Sequence, residues 1–111
     1  MTDRLRSGQV RIYLAGPMSG IADFNYPQFN ATAEQLRAKG FIVENPAENP
    51  VPQCGTWAGY MRLAIPQLLT CDMIALLPGW SVSKGARLEF DIATRIGMPT
   101  RMVEDLLQEA V

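Results

Sequence analysis

With 111 residues the chain has surface enough to bury one core and form one domain. Apolar residues at 48% and charged residues at 19% are the proportions of a globular protein and exclude an intrinsically disordered one. The formal net charge of −1, with both signs interspersed, argues against a nucleic-acid partner, and the absence of histidine argues against a zinc site or a Ser–His–Asp triad.

Catalysis, if present, must then use carboxylates, hydroxyls, amines or backbone dipoles, and the sequence calls for no cofactor and no metal. Cys54 and Cys71 stand in no paired metal spacing. No apolar run has membrane length and Met1–Gln9 is polar. The expectation is therefore a flexible segment over 1–9, a single domain over 10–111, no membrane partner and a cytoplasmic location.

Val10–Ala15 (VRIYLA) is a run of β-formers that ends in Gly16–Pro17, a strand entering a loop over Gly16–Asn25. Pro27 suits the first position of a helix, Phe29, Ala33 and Leu36 recur at helical spacing, and Gly40 is placed to end it. Phe41–Val43 reads as a second strand, and Asn45–Gly55 as a proline-rich loop. Thr56 can N-cap a helix whose apolar face is Trp57, Tyr60, Met61, Ala64, Ile65, Leu68 and Leu69. Within it, Pro66 predicts a kink or a restart, because it cannot donate to the carbonyl of Arg62.

Asp72 leads into Met73–Leu77, a continuous apolar run of the kind buried on both faces of a sheet. After the loop Pro78–Val82, Ser83 is placed to cap a helix through Arg95, closed by Gly97. Thr100–Val103 gives a last strand and Glu104–Ala110 a short helix. The alternation predicts an α/β fold, a single doubly wound parallel sheet of flavodoxin or Rossmann-like type with helices on both faces.

In such a sheet ligands collect beyond the carboxyl ends of the strands. Two loops qualify, Gly16–Gly20 and Pro78–Gly85, each leading to a helix N-terminus. Neither fits a dinucleotide fingerprint or a P-loop, and their glycines are equally consistent with turns alone. Glu89 shares a helix face with Gly85, Ala86, Ile92, Ala93 and Ile96 and has no basic neighbour there, whereas Asp91 has Arg87 and Arg95 one turn away on either side. Glu89 thus reads either as a partly desolvated carboxylate fit to act as nucleophile or base, or as an ordinary glutamate at an amphipathic edge. Asp72 at a strand entrance reads first as a turn-closing residue, while Trp80 and Tyr13 could stack on a base or simply pack.

The segments IYLAGPMSG (Ile12–Gly20), FNYPQF (Phe24–Phe29), NPAE (Asn45–Glu48) and CDMIALLPGWSVSKGARLEFDIA (Cys71–Ala93) resemble the DUF4406 family. That family is similar to the nucleoside 2-deoxyribosyltransferases and the 2′-deoxynucleoside 5′-phosphate N-hydrolases. The resemblance implies that Glu89 is the nucleophile attacking the anomeric carbon, with a glycosyl-enzyme intermediate resolved by a second base or by water. It further implies ligand contacts for Tyr13, Gly16, Ser19, Ser83 and Gly85, with Ser83 beside a 5′-phosphate; Pro17 of the first loop, Asp72 and Trp80 are expected as further ligand contacts.

One position departs. Where the enzymes carry a further Asp on the middle helix, this chain has Ala64. Two readings follow: an N-glycosidase or deoxyribosyltransferase acting on a small nucleoside or nucleotide, or a non-catalytic binder of a nucleotide or ADP-ribose-like ligand. A flavodoxin-like or receiver-like interaction module is a weaker third. Related enzymes complete their sites across subunits, which implies a homodimer or higher homo-oligomer with Trp57 and Tyr60 at the contact.

Overall fold

The computed structural model describes residues 9–109. Four parallel strands, β1 (Arg11–Ala15), β2 (Ile42–Glu44), β3 (Met73–Leu76) and β4 (Thr100–Met102), form one sheet in the order β2-β1-β3-β4. Helices α1 (Tyr26–Ala38), α2 (Trp57–Leu69), α3 (Lys84–Arg95) and α4 (Val103–Gln108) follow the strands in turn. The doubly wound α/β fold read from the alternation is the fold observed.

The two-residue period of β1 distributes its side chains between the two layers. Ile12 and Leu14 join Phe29, Ala33 and Leu36 of α1 and Leu106 of α4 in one core. Tyr13 and Ala15 point the other way, into a second core with Ala64 and Leu68 of α2 and Ala86 and Ala93 of α3. The strand order reverses between β1 and β3, and the loops after these two strands diverge there.

Local signals act as their chemistry requires. Thr56 accepts a hydrogen bond from Gly59 N at 3.1 Å and Ser83 one from Ala86 N at 3.2 Å, so both are side-chain N-caps. Gly40, at φ +98°, ends α1 in the left-handed conformation that favours glycine. Pro27 is the second residue of α1, not the first, and β2 is shifted one residue later than its apolar run suggests. The last strand stops at Met102 because Val103 already turns into α4 and buries its side chain against the first core. Ala110, expected in that last helix, and Met1–Gly8, expected to be flexible, lie outside the described residues. Among the described residues no helix is long and apolar enough to cross a membrane.

The restart expected at Pro66 does not occur: α2 runs unbroken from Trp57 to Leu69. Pro66 and Arg62 are both on the solvent side of the helix, so the Arg62 carbonyl deprived of its donor can turn to water. The lost bond remains a cost to α2. Pro66→Ala is therefore expected to raise stability by about 1–3 kcal/mol, read as a higher urea midpoint with an unchanged slope.

Candidate active site

A cavity of about 650 Å³ opens beyond the carboxyl ends of β1 and β3, walled by the loop after β1, by α2 and by the start of α3. Its size is that of a small-molecule site. Its lining is mostly apolar and holds one carboxylate, Glu89, and one cation, Lys84.

Glu89 is 6% exposed, and the phenol of Tyr13, which is fully buried, donates to its Oε2 at 2.5 Å. β1 supplies the tyrosine from the sheet face and α3 supplies the glutamate from the face that packs on it. Among the described residues every fully buried side-chain oxygen or nitrogen has a hydrogen-bond partner, whereas Glu89 Oε1 has none, so Oε1 is the oxygen left accessible in the cavity. Burial pushes the Glu89 carboxyl up to about 7, and the tyrosine hydrogen bond partly opposes that rise. The same burial, with the carboxylate beside it, holds the Tyr13 phenol well above its ordinary value, so it stays a donor. The result is a carboxyl group poised between its two protonation states near neutral pH, with one oxygen fixed and the other open.

Small residues give the pocket its shape. A Cβ on Gly16 would meet Leu77 Cβ at 2.8 Å, so only glycine lets the first loop leave β1 so close to the end of β3. A Cβ on Gly85 would come within 3.3 Å of Met61 Sδ and 3.5 Å of Trp57 Nε1, where α3 begins against α2. Pro17, Ser19 and Ser83 also line the cavity, with Ser83 capping α3 at the same time. Ala64, at the position where the resemblance expects a carboxylate, is in the cavity wall as well.

Two residues are not brought to this place. Asp72 opens β3 and so lies at the amino ends of the strands, where its Oδ2 accepts from Arg11 N at 2.9 Å. Its work there is to tie β3 to β1, which corrects the ligand contact expected of it. Trp80 does not line the cavity: it packs on Phe90, ring centroids 4.7 Å apart, at the edge of the second core.

Several lining residues carry no clear mark in the sequence. Lys84 extends over Trp57 with Nζ 4.0 Å from the ring centroid, a cation–π contact. Asp23, Phe24 and Asn25 adopt left-handed conformations in succession, at φ 53°, 53° and 60°, and bring the exposed Phe24 to the cavity mouth. Asn25 holds this turn by donating from Nδ2 to the Pro17 carbonyl at 3.0 Å and to Gln28 Oε1 at 2.9 Å. The turn-rich composition of the loop was the available signal for Asn25. A phenylalanine in that conformation is uncommon, and nothing in the pattern marks it.

An open parallel sheet with a buried Tyr–Glu pair in a cavity at its strand ends defines the class: a doubly wound α/β protein with a cavity at the topological switch point. Residues 10–102 match the family described as a domain of unknown function, DUF4406, and the chain belongs to that family. A search of curated proteins finds no match.

The displaced ionisation of Glu89 has a consequence for stability. Unfolded, the carboxyl titrates near 4.5; folded, it titrates near 7. Below both values each state holds the proton. As pH rises from about 4.5 through 7 the unfolded chain loses its proton first, and stability falls by an amount on the order of 3 kcal/mol. Glu89→Gln, which cannot ionise, is expected to flatten this part of the profile and to be the more stable protein at pH 8. Urea unfolding at pH 4.5, 6 and 8 checks it, and parallel profiles for the two proteins would contradict it.

Proposed function

We propose that the protein cleaves or transfers the N-glycosidic bond of a nucleoside or nucleoside 5′-monophosphate, with Glu89 as the nucleophile. The observation that carries this reading is a buried carboxylate, bonded by Tyr13 and open at one oxygen, in an otherwise apolar cavity at the strand ends. The resemblance to the deoxyribosyltransferases and N-hydrolases supports the same choice. Glu89 Oε1 forms a bond to C1′ as the C1′–N bond breaks, and the electron pair leaves with the base, which takes up a proton. Water or a second base then displaces the carboxylate from C1′ and regenerates it. The phenol of Tyr13 fixes Oε2 and favours the ionised form that attack requires. Ser19, Ser83 and Lys84 stand where a 5′-phosphate would be received.

Ala64 favours a second reading, a binder of the same ligands without turnover. A carboxylate on that wall would supply the proton the departing base needs, and alanine supplies none. One experiment separates the two: incubation with deoxynucleosides and their 5′-monophosphates, followed by chromatography for free base. Release that falls by on the order of a thousandfold or more in Glu89→Ala supports the enzyme. Ligand binding without release supports the binder, and Ala64→Asp is then expected to bring release up by on the order of a hundredfold.

The cavity mouth also bears on assembly. Among the described residues, six of the nine exposed large apolar side chains rim it, namely Ile21, Phe24, Trp57, Tyr60, Leu63 and Val82. Trp57, Tyr60 and Leu63 form a stripe along α2, and the proposed occupant of that stripe is a second copy of the chain. Analytical ultracentrifugation is expected to show a dimer at micromolar concentration and a shift to monomer in Leu63→Glu; a wild-type monomer would refute it.

A further inference from the structure

The outer side of α3 carries a second concavity, a groove of about 660 Å³. Trp57 and Lys84 line both it and the cavity of Glu89, so the two adjoin at the first turn of the helix, with the Lys84–Trp57 contact between them. Beyond Lys84 the groove is bordered by Arg87, Trp80, Phe90 and Asp91.

Its charges are unevenly satisfied. Helical spacing offers Asp91 to Arg87 and Arg95 alike, but the carboxylate is taken by Arg95, whose Nε donates to Oδ1 at 3.0 Å and to Oδ2 at 3.1 Å. Among the described residues Arg87 is left with no ion pair and no side-chain hydrogen bond, and Lys84 has only the ring of Trp57. Two cations one helical turn apart thus face a groove whose single acid is already engaged. Trp80, braced on Phe90, presents an indole at the far end. Guanidinium and ammonium groups beside an aromatic plane are the chemistry that receives phosphates followed by a base.

We propose that the ligand extends out of the cavity along this groove, and that its class is a dinucleotide: two nucleosides joined through a pyrophosphate. The first sugar lies at Glu89, the phosphates lie between Lys84 and Arg87, and the second base lies against Trp80. This rests on the reading of the cavity as a nucleoside site, and it goes beyond that reading by assigning the groove and its two cations.

The test is calorimetric titration of the full chain with AMP, with diadenosine pyrophosphate and with decathymidylate, in wild type and in Arg87→Ala. Arg87 is exposed and its substitution leaves the core untouched. The expected result is binding of the dinucleotide at least tenfold tighter than AMP. Arg87→Ala should abolish that advantage while leaving the AMP affinity within twofold. Trp80→Phe should lose the fluorescence quench that the dinucleotide causes and AMP does not. Equal affinity for AMP and the dinucleotide overturns the proposal and leaves the cavity reading standing. Loss of AMP and dinucleotide binding together in Arg87→Ala overturns it by placing Arg87 at the first phosphate. Preference for decathymidylate overturns it in favour of strand binding, and failure of both nucleotides to bind overturns the cavity reading as well.

Discussion

A carboxylate in an apolar interior is stable only if something compensates for the water it has lost. In this fold the compensation is one hydrogen bond, from the Tyr13 phenol to Glu89 Oε2. The bond needs β1 and α3 at one fixed separation, which the second core sets by packing Ala86 and Ala93 of α3 with Ala15 of β1. It is also asymmetric. Tyr13 satisfies one oxygen and leaves the second to the cavity, so the interaction that makes burial tolerable is the one that aims the group. With the carboxyl titrating near 7, the site gives up part of the fold's stability to keep a carboxyl group that water would otherwise solvate.

The rest of the pocket is made by leaving atoms out. Gly16 lets the first loop pass against Leu77, and Gly85 lets Met61 and Trp57 come up to the first turn of α3. Ala64 and Ala86 keep the wall between the two helices low. A larger residue at Gly16 would force Leu77 and the strand ends apart, while one at Gly85 would press on the Met61 side chain of α2. The geometry of the cavity and core packing are therefore the same constraint here, applied at Tyr13 as a side chain and at Gly16 and Gly85 as the absence of one.

How much of this is legible in the sequence follows from which interactions are periodic. Strand order and layers are legible because apolar runs bounded by Gly and Pro, alternating with helical stripes, leave few other packings. The face of Glu89 is legible from its small neighbours at helical spacing. That the phenol meeting it is Tyr13, 76 positions earlier, is not legible, since no local pattern joins them and the resemblance gives Tyr13 only as a ligand contact. The position of Asp72 could have been corrected from topology: in an all-parallel sheet the start of β3 lies at the end opposite the ligand loops. The choice of Arg95 over Arg87 as partner of Asp91 could not, because both stand one turn away and side-chain packing decides. The left-handed run at Asp23–Asn25 was hidden for a similar reason, since Phe24 has no intrinsic preference for it.

Ala64 ties the electrostatics to the chemistry. With a carboxylate on that wall, two acids would share one low-dielectric cavity, and the like charge would drive one of them to hold its proton at neutral pH. Such a pair divides the labour: the protonated member serves the leaving base and the ionised member attacks. With alanine there, the ionisation of Glu89 is governed by burial and Tyr13 alone, and the same group must be free of its proton to attack while no neighbour holds one to give. A leaving base that is already stable as an anion, or that is protonated by solvent through the cavity mouth, relieves this constraint. In the reaction proposed, alanine at residue 64 therefore bears on which bases can depart more than on whether Glu89 can attack, and would link ligand choice to the acidity of the leaving group.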